Sequence, residues 1–184
     1  MPLPQPNIRT HLHTRAISFQ GFEREGGLWD IEAHMTDTKA YEFSNDWRGQ
    51  IKTGEPLHEM LLRVTIDDDF VVQEIIAVTD NSPFEMCPDI TPNYQSLVGI
   101  KMGPGWSKEI RQRVGGKQGC THLTELLFPM ATVAFQTIWP RIRQRQKSDS
   151  NQSTGRPGIL DTCHAWATDS PVVKKYQSKY YSGE

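Results

Sequence analysis

The chain has 184 residues, enough for one domain with a sizeable hydrophobic core and too few to require two. Its 20 basic and 22 acidic side chains nearly balance, and the basic residues are spread along the chain, so we expect no nucleic-acid partner. No apolar run approaches the roughly 18 residues of a membrane span, and the first residues lack a signal-peptide core, so we expect a cytoplasmic protein without a membrane partner.

The chain begins with a predicted β-hairpin. Residues 14–23 alternate through Ile17 and Phe19, and the Glu-Gly-Gly sequence at 25–27 is typical of a turn. Residues 29–35 then place tryptophan, isoleucine, alanine and methionine on one face, and two acidic residues and a histidine on the other.

A second predicted hairpin follows a polar segment. Residues 38–57 contain two glycines and a proline and indicate a connecting loop that includes some local strand. Residues 60–66 alternate again, the acidic run 67–69 predicts a turn, and 70–79 form another β-rich stretch. The two hairpins together predict a four-stranded antiparallel meander with one face to cover.

The second half of the chain has a helical pattern. Short helices are predicted at 94–100 and 108–114, and the longest one at 121–139, with an apolar stripe from Leu123 to Ile138 that can pack on the sheet. Pro129 should kink this helix or end its first part, and the helix should stop near 139–140 or fray beyond it. The predicted fold class is α+β, a meander covered on one face by helices.

The composition divides the chain into three parts. Residues 1–147 are predicted to form the single α+β domain. Residues 148–158 are polar and indicate a flexible linker. Residues 159–184 form a tail that is apolar enough at its start to dock on the core.

The strongest chemical signal is the run from Gly115 to Leu123, where a glycine-rich loop leads into the long predicted helix. Cys120 and His122 lie at this junction. A thiol at a helix N-terminus is near unpaired backbone N–H groups, which favour the thiolate, and the thiolate is the form that binds metals or acts as a nucleophile. We therefore favour a functional role for Cys120.

Other candidate ligands lie in predicted loops or at element boundaries. The chain has three cysteines, an odd number that argues for reduced thiols rather than a disulfide framework. His58 fits a metal ligand or a turn histidine equally well, whereas the surroundings of Cys87 favour a tight loop. Cys163 and His164 are adjacent, so in an extended segment only one of them would face a given site.

These residue types are compatible with three functions. Cysteine and histidine donors suit zinc, iron or an iron-sulfur cluster, and metal binding is the favoured hypothesis. The alternative is an enzyme with a cysteine nucleophile acting on a small acyl or carbonyl substrate, with a histidine as base and Asp161 as orienting carboxylate. A third possibility is an interaction module in which the cysteines take no part in chemistry.

Four short segments form distinctive motifs: residues 27–33, the Gly54–Met60 segment (G-x-P-x-H-x-M), the G-C-T-H-L run at 119–123 and the D-x-C-H-A run at 161–165. In these segments the chain resembles an uncharacterised bacterial family known as a domain of unknown function. The similarity extends over nearly the whole chain and implies no particular activity.

A strand, acidic turn and second strand over residues 60–78 are followed by a long helix that starts at Cys120. In this arrangement the chain also resembles the U-type iron-sulfur cluster scaffold proteins: residues 60–78 look like their hairpin, and Cys120 lies at the position of their last ligand. This resemblance implies that His58 and Cys87 also fall near ligand positions. The scaffolds' first cysteine has no counterpart, and Gly119 stands where they have a histidine.

Overall fold

A computed structural model describes residues 3–148 and 156–183 of the chain. The chain divides into two compact units, Met1–Arg143 and Gln144–Glu184. None of the described helices is long and apolar enough to cross a lipid bilayer.

The first unit is built on a four-stranded antiparallel sheet with the strand order β1-β2-β5-β6. Its strands, together with the separate β3-β4 hairpin, are β1 (His13–Glu23), β2 (Trp29–Lys39), β3 (Phe43–Asn45), β4 (Gly49–Ile51), β5 (Pro56–Ile66) and β6 (Val72–Asn81). The predicted meander is confirmed. The connecting segment is shorter than the predicted 38–57, because β2 continues to Lys39 and β5 begins at Pro56, and it contains the local strands that were expected.

One face of the sheet carries the hydrophobic core. In β2 the side chains from Trp29 to Met35 are buried at alternate positions, and β5 repeats the pattern from Met60 to Ile66. Three helical segments supply further core residues to the first unit, so the fold is the predicted α+β arrangement. These segments are a 3-10 helix (Cys87–Leu97), α1 (Trp106–Val114) and α2 (Thr121–Ser148).

Two helix predictions need correction. The helix expected at 94–100 is instead a 3-10 helix over Cys87–Leu97, with Pro88 at its start and Pro92 inside it, where neither can donate an α-helical hydrogen bond. The long helix does not stop near 139–140 but runs through Pro129 and Pro140 to Ser148. The buried apolar stripe of α2 offsets the hydrogen bonds that the prolines remove.

Gly21 sets the approach of α2 to the sheet. A Cβ atom at this position would overlap the side chain of Thr137. Only glycine therefore allows the helix backbone to lie this close to β1.

The second unit contains short elements. They are a 3-10 helix (His164–Trp166), α3 (Pro171–Tyr176) and a last 3-10 helix (Ser178–Tyr180). Ser170 caps α3 by accepting a hydrogen bond from the backbone N–H of Val173 at 3.1 Å. Within the predicted linker, residues 149–155 lie outside the described residues, and docking of the tail on the core remains a prediction.

Candidate metal site

Three polar residues form a row across β1, β2 and β5 on the inner face of the sheet. Arg15 pairs with Asp37, and Asp37 pairs with His58 on the next strand. Each lies at the next inward-facing position beyond the apolar run of its own strand. Strand pairing therefore fixes their order and spacing.

Asp37 is the centre of the row and is buried, with 4% of its surface exposed. Its Oδ1 accepts from Arg15 Nε at 2.9 Å and lies 2.9 Å from His13 Nε2. Its Oδ2 accepts from Arg15 Nη2 at 2.8 Å and lies 3.1 Å from His58 Nδ1. Burial alone would raise the pKa of Asp37, but the hydrogen bonds from Arg15 and His13 outweigh it and lower the pKa to about 2. The carboxylate is thus ionised and has all its acceptor positions in use.

His122 reaches this row from the first turn of α2. Its ring lies against that of His58, with the centroids 3.9 Å apart and the planes tilted by 32°. Its Nε2 lies 3.7 Å from Asp37 Oδ2. Thus two imidazoles approach the same carboxylate oxygen from different elements of the fold.

Burial favours the neutral form of both imidazoles. Burial, and secondarily the neighbouring His122, lower the pKa of His58 to about 4. Burial also lowers the pKa of His122, and Arg15 acts in the same direction. Asp37 opposes both shifts, but its charge is already compensated by Arg15, so burial prevails. Neutral imidazole is the form that binds metal ions and accepts protons.

Cys120 lies next to His122, immediately before α2 begins. Its Sγ is 3.7 Å from Nδ1 of His122. Its backbone N–H donates to the hydroxyl of Tyr94 at 3.0 Å, and this hydroxyl lies 2.8 Å from Thr124 Oγ1. The tyrosine therefore fixes the backbone at the start of the helix.

The glycines before Cys120 serve packing in this loop. A Cβ at Gly119 would overlap the carbonyl of Val114, and a Cβ at Gly115 would overlap that of Arg111. Gly116 has a φ of 56°, which favours glycine. The glycine loop lets the chain turn tightly from α1 into α2, which explains it without a ligand.

The structure brings together some of the predicted site residues. His58 and His122 face each other, with Cys120 beside His122. Cys87 begins the 3-10 helix and is partly buried, but it does not belong to the His58–His122 group. Cys163 and His164 are exposed in the second unit, where Asp161 binds Thr168 and Arg156.

Asp37, Arg15 and His13 were not predicted as site residues from the sequence. A signal for Asp37 was present, because it continues the inward alternation of Trp29 to Met35 by one step. A carboxylate at a position that the strand pattern predicts to be buried needs charged or hydrogen-bonding partners.

Asp37, His58 and His122 can hold a metal ion. Each offers one ligand atom, and these atoms all lie within 4.8 Å of one another. Among the described residues, it is the one group of three or more potential ligand residues whose ligand atoms lie this close together. It comprises one carboxylate oxygen and two imidazole nitrogens.

The fold and the site define a small α+β protein with a carboxylate-imidazole cluster where a sheet meets a helix N-terminus. The chain belongs to the family of proteins of unknown function DUF2889, which it matches over residues 13–136. The match begins with β1 and extends into α2, so it includes every residue of the cluster. No curated protein and no solved structure matches the chain, and the resemblance to iron-sulfur scaffolds remains a prediction.

Proposed function

We propose that this protein binds a single divalent transition-metal ion, zinc or iron(II), through Asp37, His58 and His122. The observation that carries the proposal is the convergence of one carboxylate and two imidazoles within 4.8 Å. This group of three residues differs from a cluster of acidic residues on the surface, because the side chain of Asp37 is buried and those of both histidines are largely buried.

The distances within the group support a shared ion. Asp37 Oδ2 lies 3.1 Å from His58 Nδ1 and 3.7 Å from His122 Nε2. In a tetrahedral zinc site with bonds of about 2.0–2.1 Å, neighbouring ligand atoms are about 3.4 Å apart. The two distances lie on either side of this value, and all three ligand atoms lie within 4.8 Å of one another, so the side chains would need to close around the ion to complete the coordination.

Binding would require His58 to change tautomer. In the absence of metal, Nδ1–H of neutral His58 donates to Asp37 Oδ2. The metal would bind Nδ1 in place of this proton, and the single ring proton would then be carried on Nε2, with no net release of a proton. Arg15 could keep its hydrogen bonds to Asp37 and continue to orient the carboxylate.

The donor set favours a mononuclear ion over a cluster. Two imidazoles and one carboxylate are ligands of zinc and of non-haem iron(II), whereas iron-sulfur clusters are held mainly by thiolates. Cys120 Sγ faces the other ring nitrogen of His122, so this thiol would act as an outer hydrogen-bond partner. Three protein ligands would leave a coordination position for water or a substrate.

The test is titration of the untagged, metal-free protein with Zn²⁺ and Co²⁺, followed by calorimetry and visible absorption. We expect one ion per chain, and His58→Gln and His122→Gln should each weaken binding by roughly tenfold or more. His34→Gln is the matched control, because His34 also contacts a carboxylate, Glu59 at 3.0 Å, but on the opposite face of the sheet.

The Co²⁺ spectrum tests the ligand set. Nitrogen and oxygen ligands give d-d bands without an intense thiolate charge-transfer band, and Cys120→Ser should leave this spectrum unchanged. A thiolate band that disappears in Cys120→Ser would overturn the proposed set in favour of a sulfur ligand. Equal binding by wild type and His58→Gln would overturn the site itself.

A second candidate function rests on a different pair of contacts. Cys120 Sγ, His122 and Asp37 lie in series, with both the sulfur-to-Nδ1 and the Nε2-to-Oδ2 distances at 3.7 Å. This order suits a cysteine nucleophile: His122 would take the thiol proton as sulfur adds to the carbonyl carbon and the C=O π pair moves to its oxygen. With an acyl substrate, the C=O bond would re-form as the leaving group departs with the proton from His122. The orienting carboxylate would be Asp37 rather than Asp161.

Labelling with iodoacetamide separates the two candidate functions. A nucleophilic Cys120 should give a rapid labelling phase in metal-free wild type that is absent from Cys120→Ser, and His122→Gln should slow this phase. Slow labelling of Cys120, equal to that of a thiol in unfolded protein, would count against the cysteine enzyme and leave metal binding unaffected.

A further inference from the structure

The proposed ligands come from two parts of the fold that must be held in a fixed relation. Asp37 and His58 lie on strands of the sheet, whereas His122 lies in the first turn of α2. Strand register fixes the first two residues. The start of a helix has unpaired backbone N–H groups and frays, so the position of His122 depends on contacts made there.

The hydroxyl of Tyr94 contacts the backbone on both sides of His122. It accepts a hydrogen bond from the backbone N–H of Cys120 at 3.0 Å and lies 3.0 Å from the carbonyl of the same residue. It also lies 2.8 Å from Thr124 Oγ1, which can accept the tyrosine proton because its own proton goes to the carbonyl of Val114 at 2.8 Å. Cys120 and Thr124 precede and follow His122 by two residues, so the tyrosine fixes the turn that carries the imidazole.

Tyr94 supplies a hydrogen bond that α2 cannot make within itself. Cys120 is the N-cap residue, because its carbonyl accepts the first helical hydrogen bond from the N–H of Thr124 at 2.8 Å. In a capping box, a Glu or Gln three residues later accepts a hydrogen bond from the N-cap N–H. That position holds Leu123, which has no acceptor and is buried in the core. The tyrosine hydroxyl accepts this hydrogen bond instead, from another element of the fold.

The 3-10 helix that carries Tyr94 is itself attached to the sheet. The side chain of Gln95 donates a hydrogen bond to the carbonyl of Ile75 on β6. The segment 99–100 after this helix exchanges backbone hydrogen bonds with Val72 of the same strand. The side chain of Tyr94 is fully buried between these contacts and α2. Hydrogen bonds thus connect the sheet, through Tyr94, with the start of α2.

We propose that Tyr94 is a positioning residue of the metal site, whose hydroxyl sets the first turn of α2 so that His122 reaches Asp37 and His58. This inference rests on the proposed metal function. The hydroxyl is not one of the proposed ligands and acts through the backbone of Cys120. Its loss should weaken metal binding by roughly tenfold or more, as the loss of a group that orients a ligand does in other metal sites.

The experiment compares Tyr94→Phe with a matched control, Trp106→Phe. Both variants keep an aromatic ring in the core and lose one buried hydrogen-bonding group that contacts the backbone at or within α2. Trp106 makes its contact further along the helix, to the carbonyl of Leu127 at 2.9 Å. Zinc affinity of the metal-free, full-length protein is measured by competition with a chromogenic chelator, and circular dichroism verifies the fold.

Tyr94→Phe should raise the dissociation constant for Zn²⁺ by roughly tenfold or more, whereas Trp106→Phe should bind zinc as wild type does. Equal affinities of wild type and Tyr94→Phe would overturn the positioning role and leave the metal function standing. An equal loss of affinity in both variants would also overturn it, because the effect would then come from general destabilisation of α2.

A second measurement does not require metal. Heteronuclear NMR spectra of the imidazole rings in metal-free protein should show shifted resonances of His122 and His58 in Tyr94→Phe, because their rings are in contact, and unshifted resonances of His34 on the opposite face. Unchanged His122 resonances would overturn the proposal. If wild type bound no zinc, the metal function would fail, and these spectra would still decide whether Tyr94 positions His122.

Thr124→Val provides a second variant in case Tyr94→Phe does not fold. It keeps the shape of the side chain and removes the hydroxyl that pairs with Tyr94. It should weaken zinc binding and shift the His122 resonances in the same way. Unchanged zinc affinity and unchanged resonances in this variant would overturn the proposal.

Discussion

The buried His58 makes the stability of the fold depend on pH in a defined window. Its pKa is about 4 in the folded protein, against an ordinary value of 6.5 that the unfolded chain regains. Between these two values the unfolded state binds more protons than the folded state, so the free energy of unfolding falls as the pH falls.

The size of the effect follows from the two pKa values of this one group. Each pH unit between them corresponds to about 1.4 kcal/mol, so His58 accounts for a loss of about 3 kcal/mol between pH 6.5 and pH 4. The side chain is 14% exposed, and the remaining solvent contact makes this value an upper estimate. His122 acts in the same direction because its pKa is also lowered.

The measurement is urea unfolding followed by tryptophan fluorescence at several pH values, with a chelator present to remove metal. Between pH 6.5 and pH 4, the free energy of unfolding of His58→Gln should fall by about 3 kcal/mol less than that of wild type. The effect of Asp37 appears at lower pH, because its pKa of about 2 lies below its ordinary 3.8, and its stabilisation is lost as the pH falls from 3.8 towards 2. Identical pH profiles for wild type and His58→Gln above pH 4 would refute the reasoning.

Two further predictions concern packing around the helices. Gly21→Ala should destabilise the protein by about 1–3 kcal/mol, because the new methyl group overlaps Thr137, whereas Gly103→Ala should have a smaller effect because the nearest atom is 3.9 Å away. Thermal unfolding compares the two variants, and equal melting temperatures would contradict the close approach of α2. Trp106→Phe removes the buried hydrogen bond from the indole Nε1 to the carbonyl of Leu127 at 2.9 Å and should cost about 1–3 kcal/mol. Chemical denaturation measures this loss, and an unchanged midpoint would indicate that the indole hydrogen bond contributes no net stability.

Much of the fold follows from local patterns in the sequence. Period-2 alternation predicted both hairpins, because β2 and β5 bury one face and expose the other. The ends of α2 were harder to predict. Pro129 and Pro140 disfavour a helix locally, but the tertiary packing of the apolar stripe outweighs that preference.

The candidate site was only partly predictable. His58 and His122 were singled out by residue type, but the partner that joins them, Asp37, lies far away in the sequence from both. Strand register places Asp37 next to His58, and the packing of α2 brings His122 to the same point. Neither relation is visible in any single segment of the chain.

The row formed by Arg15, Asp37 and His58 depends on hydrogen-bonded strands rather than on loops. Deleting a single residue inside β2 would turn Asp37 to the opposite face and dismantle the cluster, although longer or shorter hairpin turns would leave it intact. The same three residues, placed in matching register on an unrelated antiparallel sheet beneath a helix that supplies the second imidazole, should recreate the arrangement. The site is therefore a transplantable unit for protein engineering.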